Sequence, residues 1–348
     1  MNILIVGKFY TEGFSLHIAE TLESMGHSVY RFEHGFKQSQ MDSVLQYRLK
    51  QVKTAIYDVY KKSKFHEKSV EISLMNHLRH NSIELIISCH DLLSPQQIKT
   101  IKQRHNLKIC LWYPDHIGAF NKAMFLNANY DYLFFKDPYI VNVLENDLAK
   151  KSFYLPECCN PVYHNIFELS EDDIKKYSCD ICTAGNLHPN RAELFKHLIE
   201  YDCKIWGNPP SRWMNIDPIK SMVQNKFVAN EEKSKAFRGA KIVINNFQPA
   251  EILGANVRLF EVAAAGAFQL ASWRAGIDQL YRENEEIVCY KSIPDLKNKI
   301  NFYLKNSDER NRIAANAYRR TMKEHTYEHR LSLLLNTVNG NASGFKIS

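Results

Sequence analysis

Short apolar runs alternate with helical patterns along the whole chain. The first apolar run, 3–6, is followed by a loop and then by a helical pattern over 14–25. That pattern stops before Gly26, which suits the position after a helix because glycine adopts a positive φ at little cost. The same alternation predicts strands at 3–6, 27–32, 83–88, 108–112, 132–135, 152–155, 180–183, 203–206, 241–245, 268–271 and 286–289. Strands separated by helices in this way are typical of parallel α/β sheets.

The alternation is interrupted near the middle of the chain. Residues 156–177 have no clean period and contain an acidic cluster at 171–173, so we interpret them as a connection between domains. A chain of 348 residues is also too long for one ordinary core. We therefore predict two doubly wound domains, 1–158 and 159–325, facing a cleft. Residues 41–80 are charged and helical in pattern, and we predict an insertion or a long helical pair there.

Composition restricts the class of protein but names no partner. Lys and Arg number 45 against 38 Asp and Glu, a net charge of +7, and 45% of the residues are hydrophobic. No long basic run concentrates this charge, so it permits a nucleic-acid partner without arguing for one. We see no signal peptide and no 18-residue apolar stretch, and we expect a cytoplasmic protein without a transmembrane segment.

Cysteine spacing offers one weak metal motif. Cys179 and Cys182 have the Cys-x-x-Cys spacing, but a zinc site needs a second pair at matching spacing. Residues three apart in a strand also point to opposite faces. We therefore predict buried strand cysteines and no metal site.

The loops after the predicted strands of the first half carry candidate chemistry. Gly7 and Gly13 bound a loop that matches neither the G-x-G-x-x-G dinucleotide pattern nor a P-loop, although Gly13 could bring backbone close to a ligand. His90 follows one buried strand, where it could exchange a proton with a substrate hydroxyl. Asp115 follows the next strand and is the best-placed carboxylate for general-base work. A cap or turn role is the alternative for both side chains.

The second half offers groups that suit phosphates and sugars. Gly185 and Arg191 open a predicted helix after a strand, an arrangement that binds phosphate. Trp206, followed by Gly207, could stack on a nucleobase, and core packing is the equal alternative. Amide and carboxylate groups for sugar hydroxyls follow a later strand at Asn246, Glu251 and Asn256.

The segment 256–270 is the most informative part of the chain. It places Arg258 and Glu261 three residues apart at the start of a helix rich in small residues, which Gly266 ends before a short apolar strand. An arginine there suits phosphate, and a glutamate can accept hydrogen bonds from sugar hydroxyls. This one segment could therefore hold both the phosphates and the ribose of a nucleotide.

Taken together, these residues resemble the bacterial glycosyltransferases of the GT-B fold, and most closely the CgeB-type, spore-maturation-protein-like group. The resemblance is specific in the second half and looser in the first. The residues that carry it are Gly185, Arg191, Ile205-Trp206-Gly207, Ile244-Asn245-Asn246, Asn256 to Glu261, Ala265 to Leu270, Glu324 to Arg330, Leu4 to Gly7 and Trp112 to Asp115.

The resemblance implies two Rossmann-like domains and transfer of a sugar from a nucleotide-sugar, with UDP favoured, to an acceptor hydroxyl. Glu261 would bind the ribose, and Arg191 and Arg258 would neutralise the leaving diphosphate, so no metal or other cofactor is expected. The first domain would hold the acceptor, and a last helical segment at 326–348 would pack back on it. Retention of configuration is implied as well.

The chain departs from the retaining pattern at one position. Retaining GT-B enzymes often have a second glutamate eight positions before the one that Glu261 matches, and here that position is Leu253. Glu251 lies ten positions before Glu261. Two alternatives to glycosyl transfer stay open: a nucleotide-sugar epimerase of the same fold, and a transferase or binding protein that acts on nucleic acid, such as a modified DNA base.

Overall fold

The computed structural model describes residues 1–33, 63–120 and 122–341. The first domain is a six-stranded parallel sheet in the order β2-β1-β3-β4-β5-β6. Its elements are β1 (Asn2–Gly7), α1 (Phe14–Ser24), β2 (Ser28–Glu33), α2 (Lys64–His80), β3 (Leu85–Cys89), α3 (Pro95–Arg104), β4 (Lys108–Tyr113), β5 (Tyr132–Phe135), α4 (Pro138–Asn146) and β6 (Phe153–Tyr154). Of the predicted 41–80 insertion, only the part from residue 63 onward lies within the described residues.

The second domain is a five-stranded parallel sheet in the order β11-β10-β9-β7-β8. Its elements, including the helix after the connection, are α5 (Glu171–Tyr177), β7 (Cys179–Ala184), α6 (Pro189–Lys196), β8 (Cys203–Trp206), α7 (Asn230–Gly239), β9 (Ala240–Asn245), α8 (Arg258–Ala264), β10 (Gln269–Ser272), β11 (Val288–Tyr290), α9 (Ile293–Lys305) and α10 (Ser307–Glu324). The predicted α/β class with two doubly wound sheets is confirmed.

The chain then returns to the first domain through α11 (Tyr327–Val338). Tyr327, Leu331 and Leu334 of this helix are buried against side chains of β1, α1 and β3 in one hydrophobic cluster. Arg330 is also buried, and its guanidinium donates to the carbonyl oxygens of Pro156 at 3.0 Å and Glu324 at 2.9 Å. The last helix therefore shares the core of the first domain.

Two helices, α5 and α7, are not predicted from the hydrophobic period of the sequence. The acidic cluster at 171–173 is the first turn of α5, where a capping box satisfies backbone N–H groups through Ser170 and Asp173. In α7 the buried apolar side chains are only Ala236 and Phe237, so charged residues hide its period. Both helices pack near the connection between the domains.

All eight cysteines are buried and unpaired. Burial raises the pKa of Cys179 to about 12 and holds the pKa of Cys182 well above its ordinary value, so both thiols stay protonated. They behave as small hydrophobic side chains, in line with the strand interpretation. Among the described helices, none has the length and apolar character needed to cross a membrane.

Candidate active site

The carboxyl ends of the two sheets face each other, and loops from both domains meet there. Two of the contacts that join them involve the residues that follow β5. Lys136 Nζ, after β5, lies 2.9 Å from Glu251 Oε1 in the loop before α8. The carboxylate of Asp137 accepts from the backbone N–H of Ile252 at 2.9 Å. Ligands of doubly wound sheets bind at this edge, so the cleft between the domains is the candidate site.

Two arginines converge beside Gly185, the residue after β7. Gly185 has φ +114°, and a Cβ placed on it would lie 2.7 Å from Arg258 Nη2 and 3.6 Å from Arg191 Nη1. Both the backbone conformation and the guanidinium groups therefore require glycine here. Arg191 comes from the first turn of α6, and Arg258 is the first residue of α8.

No carboxylate among the described residues forms a hydrogen bond or salt bridge with this arginine pair, and the charges of Glu251 and Glu261 act on it only from a greater distance. Their hydrogen bonds to described residues go to uncharged oxygens: Arg191 donates to Asn246 Oδ1 and Asn186 O, and Arg258 to Ala184 O and Asn245 Oδ1. Burial lowers the pKa of Arg191, and the charge on Arg258 lowers it further. Two converging cations that have no carboxylate partner among the described residues are chemically suited to a multivalent anion.

Three asparagines hold these arginines in place. Asn246 accepts from Arg191 Nε at 2.9 Å, and Asn256 donates to Asn245 Oδ1 at 3.0 Å, the same oxygen that Arg258 contacts. Asn245 in turn donates to Gln269 Oε1 at 3.3 Å. Asn246 and Asn256, assigned from sequence to the donor sugar, thus support the arginine pair in this structure.

Glu261 is buried in the first turn of α8 and lies in a charged network. Its Oε1 accepts from Lys233 Nζ at 2.8 Å, and Lys233 also lies 3.0 Å from Glu12 Oε2. His164 Nε2 is 3.5 Å from the same Glu261 oxygen. No hydrogen bond from a described residue reaches Glu261 Oε2, which leaves that oxygen for a ligand hydroxyl.

Glu251 occupies a different position from the one expected of a donor-sugar ligand. Its Oε1 pairs with Lys136, and its Oε2 accepts from the backbone N–H of Gln248 at 2.9 Å. The side chain is only 3% exposed. Glu251 therefore joins the two domains in this arrangement, because both of its oxygens are already engaged.

Lys136 also pairs with Glu157, at 3.2 Å, so one buried lysine faces two buried glutamates. Burial raises the pKa of Glu157 to about 7; Lys136 acts against this rise and the charge of Glu251 adds to it. A carboxyl with a raised folded pKa loses its stabilising effect as pH rises, since the unfolded chain ionises first, near pH 4.3.

We expect Glu157→Gln to change how stability depends on pH. The variant stays neutral, so between pH 5 and pH 8 the free energy of unfolding of the wild type should fall by about 2–3 kcal/mol relative to the variant. Urea denaturation at both pH values measures this difference. Glu193→Gln, at an exposed ion pair with Lys196, is the control. Parallel pH profiles for wild type and Glu157→Gln would contradict the assignment.

His90 and Asp115 lie together on the first-domain side of the cleft. His90 Nε2 is 3.2 Å from Asp115 Oδ2, and both side chains are partly exposed. His90 has φ +75°, an uncommon conformation for a residue with a side chain and one that recurs at functional sites. Burial acts to raise the pKa of Asp115, but the hydrogen bond and charge of His90 lower it overall. The ionised carboxylate of Asp115 can accept a hydrogen bond from the Nε2–H group of His90, which leaves His90 Nδ1 free of its own proton and able to accept a proton.

The remaining predicted residues are placed as follows. Trp206 is 3% exposed and packs edge-on against Tyr177 at 5.2 Å, so its ring has no exposed face for a nucleobase in this arrangement. Gly207 is required by packing, because a Cβ there would lie 2.4 Å from Gly185 O. Gly13 closes the turn before α1 through a hydrogen bond from its N–H to Tyr10 O, 2.7 Å long.

Five supporting residues of the site have no role predicted from the sequence: Glu12, Lys136, His164, Lys233 and Gln269. Glu12 lies in the loop between Gly7 and Gly13, where the glycine spacing is the recognisable local feature. Lys233 lies in α7, which has too few apolar residues to show a helical period. Their common signal is spatial, since each charged partner comes from a distant part of the chain.

Residues 191–336 match the family model described as glycosyl transferase-like. The spore protein CgeB of Bacillus subtilis (strain 168) is 26% identical over 192 residues, a match that covers 51% of this chain and 58% of that protein. The chain thus spans little more than half the length of this curated relative.

Solved structures resemble nearly the whole chain. Sucrose-phosphate synthase from Thermosynechococcus elongatus superposes with a TM-score of 0.67 at 13% identity, covering 98% of this chain and 100% of that one. Anabaena HepE in complex with UDP-glucose superposes with a TM-score of 0.64 at 12% identity and the same coverage. These likenesses establish the GT-B fold.

The matches confirm the resemblance drawn from the sequence. They do not favour the epimerase or the nucleic-acid alternative.

Proposed function

We propose, from a GT-B fold whose second domain carries the glycosyl transferase-like pattern, that this chain transfers a sugar from a nucleoside-diphosphate-sugar to an acceptor hydroxyl. The observation that carries the proposal is the arginine pair, Arg191 and Arg258. These two converging guanidinium groups have no carboxylate partner among the described residues. A diphosphate supplies the missing negative charge.

The arginine pair also has a role in the chemistry. When the bond between the sugar and the diphosphate breaks, negative charge grows on the leaving phosphate. Preorganised cations at that position stabilise the transition state more than the ground state. In the described part of the chain no group of three or more His, Cys, Asp or Glu side chains is arranged to hold a metal ion. Metal-independent transfer is proposed on the strength of the arginines themselves.

Glu261 is proposed to bind the ribose through Oε2. We expect Glu261→Gln to weaken binding of UDP by about 10–100-fold, because hydrogen bonds to a charged acceptor contribute about 1.5–3 kcal/mol. The loss should be much smaller for 2′-deoxy-UDP, which lacks one of the hydroxyls. Calorimetric titration with both nucleotides measures the ratio of their dissociation constants. An unchanged ratio in the variant would remove Glu261 from the ribose site.

UDP is the nucleotide we propose for the donor. Support comes from Anabaena HepE, which has the same fold and whose structures are described as complexes with UDP and UDP-glucose. Incubation with UDP-sugars alone tests this donor class. Slow release of UDP supports a transferase, whereas appearance of an epimerised sugar would contradict the proposal.

The acceptor is proposed to bind beside His90 and Asp115, on the first domain. His90 Nδ1 would take the proton of the attacking hydroxyl, and Asp115 would hold the imidazole through Nε2. The resemblance implies retention, while a base on the acceptor side is what an inverting displacement uses. The anomeric configuration of the product, determined by NMR, distinguishes the two.

A further inference from the structure

Glu12 crosses from the first domain into the second. It follows β1, yet its Oε1 accepts from the backbone N–H of Asn230 at the start of α7, and its Oε2 lies 3.0 Å from Lys233 Nζ. Both Glu12 and Asn230 have positive φ, +62° and +52°. Two residues in an unfavourable backbone conformation meet at one contact, a pattern that recurs where geometry serves function.

Lys233 is shared between two carboxylates from different domains. It lies 3.0 Å from Glu12 and 2.8 Å from Glu261, and all three side chains are largely buried. Burial acts to lower the pKa of Lys233, but Glu261 and Glu12 raise it overall. Burial likewise acts against ionisation of Glu12, yet Lys233 and His164 bring the pKa of Glu12 down to about 2. Both ends of the pair are therefore charged.

We propose that Glu12 is a positioning residue that acts through Lys233 on the nucleotide-binding carboxylate of Glu261. This inference rests on the proposed ribose role of Glu261. In the wild type, Lys233 interacts with two carboxylates, so it neutralises Glu261 only in part. Glu261 therefore stays a strong hydrogen-bond acceptor for the ribose hydroxyls. Without the charge of Glu12, Lys233 pairs fully with Glu261 and competes with the ribose. Contact between the loop that carries Glu12 and the second domain thereby increases the affinity of the second domain for the nucleotide.

A double-mutant cycle tests this coupling. UDP binding is measured by calorimetry for the wild type, Glu12→Gln, Lys233→Met and the double variant. Glutamine keeps an oxygen that can accept from Asn230 but removes the charge. We expect Glu12→Gln to weaken UDP binding by about 3–10-fold, less than the loss expected for Glu261→Gln, because Glu12 acts on the nucleotide only through Lys233 and Glu261. In the Lys233→Met background the same change should no longer weaken it.

A second readout does not depend on the folding of Lys233→Met. The preference for UDP over 2′-deoxy-UDP should fall in Glu12→Gln, toward the value of Glu261→Gln. If the role of Glu12 were purely structural, Glu12→Gln would weaken the binding of UDP and of 2′-deoxy-UDP equally. Glu23→Gln, an exposed α1 glutamate paired with Arg31, is the matched control and should bind both nucleotides as the wild type does.

The outcomes separate the two claims. Wild-type protein that binds no nucleoside diphosphate overturns the proposed function, and this inference with it. Suppose instead that the wild type binds UDP and that Glu261→Gln loses the preference for UDP over 2′-deoxy-UDP. The role of Glu12 alone is then overturned if Glu12→Gln binds both nucleotides as the wild type does, or if it binds both of them equally more weakly.

Discussion

Arg191→Met is expected to lower kcat/KM for the nucleotide-sugar by about 10²–10³-fold, the usual effect of removing one preorganised group that stabilises transition-state charge. The same variant should keep or raise the melting temperature of the ligand-free protein. Arg191 is buried beside a second arginine, and its removal relieves repulsion between two like charges. A loss of activity together with a gain of stability is characteristic of a site whose like charges are placed to bind an anion.

Steady-state kinetics and thermal unfolding of the same preparation measure both effects. Arg312→Met is the matched control, because Arg312 is partly exposed and pairs with Glu309 at 2.7 Å. It should leave kcat/KM unchanged. An Arg191→Met protein with wild-type kcat/KM would show that the arginine pair does not contact the donor. A strongly lowered melting temperature would show that Arg191 is structural.

Asp115→Asn is expected to lower kcat by about 10²–10⁴-fold, the contribution typical of general acid–base catalysis. Asparagine still contacts His90 but no longer carries the charge that favours the required tautomer and stabilises the imidazolium. UDP binding should be unchanged, since Asp115 belongs to the first domain and the arginine pair to the second. The reaction is therefore expected to stop after the donor has bound.

Kinetics with saturating donor, combined with calorimetric titration of UDP, separates these two steps. Asp172→Asn is the control, because Asp172 is an exposed residue in the first turn of α5. It should behave as the wild type in both assays. An Asp115→Asn enzyme with kcat within a few-fold of the wild type would exclude Asp115 from the acceptor chemistry.

Much of the fold could be predicted from the sequence, because each strand of the two sheets is a short apolar run and most helices have a clear period. The exceptions have a physical cause. Helix α5 is short and depends on its capping box, and α7 buries few apolar side chains and packs through Lys233 and Ser234 as well. Patterns of hydrophobicity do not detect helices that are held by polar contacts.

The site could be predicted only in part. Arg191, Arg258 and Glu261 stand out because their residue types at helix starts suit phosphate and ribose. The roles of Glu251 and Trp206 could not be decided in the same way. Whether Glu251 faces a sugar or pairs with Lys136 depends on how the two domains meet, and whether Trp206 stacks or packs depends on Tyr177. Contacts between distant parts of the chain decide such cases, and no local pattern encodes them.

The proposed function requires binding of a nucleoside diphosphate, which thermal unfolding of the wild type with a panel of nucleoside diphosphates and nucleotide-sugars measures. A ligand at about 100 times its Kd stabilises the folded state by about 2.7 kcal/mol. We therefore predict that at least one member of the panel, with UDP or a UDP-sugar first, raises the melting temperature by several degrees, and that Arg191→Met loses this shift. A melting temperature that no member of the panel raises would contradict the proposed nucleotide site.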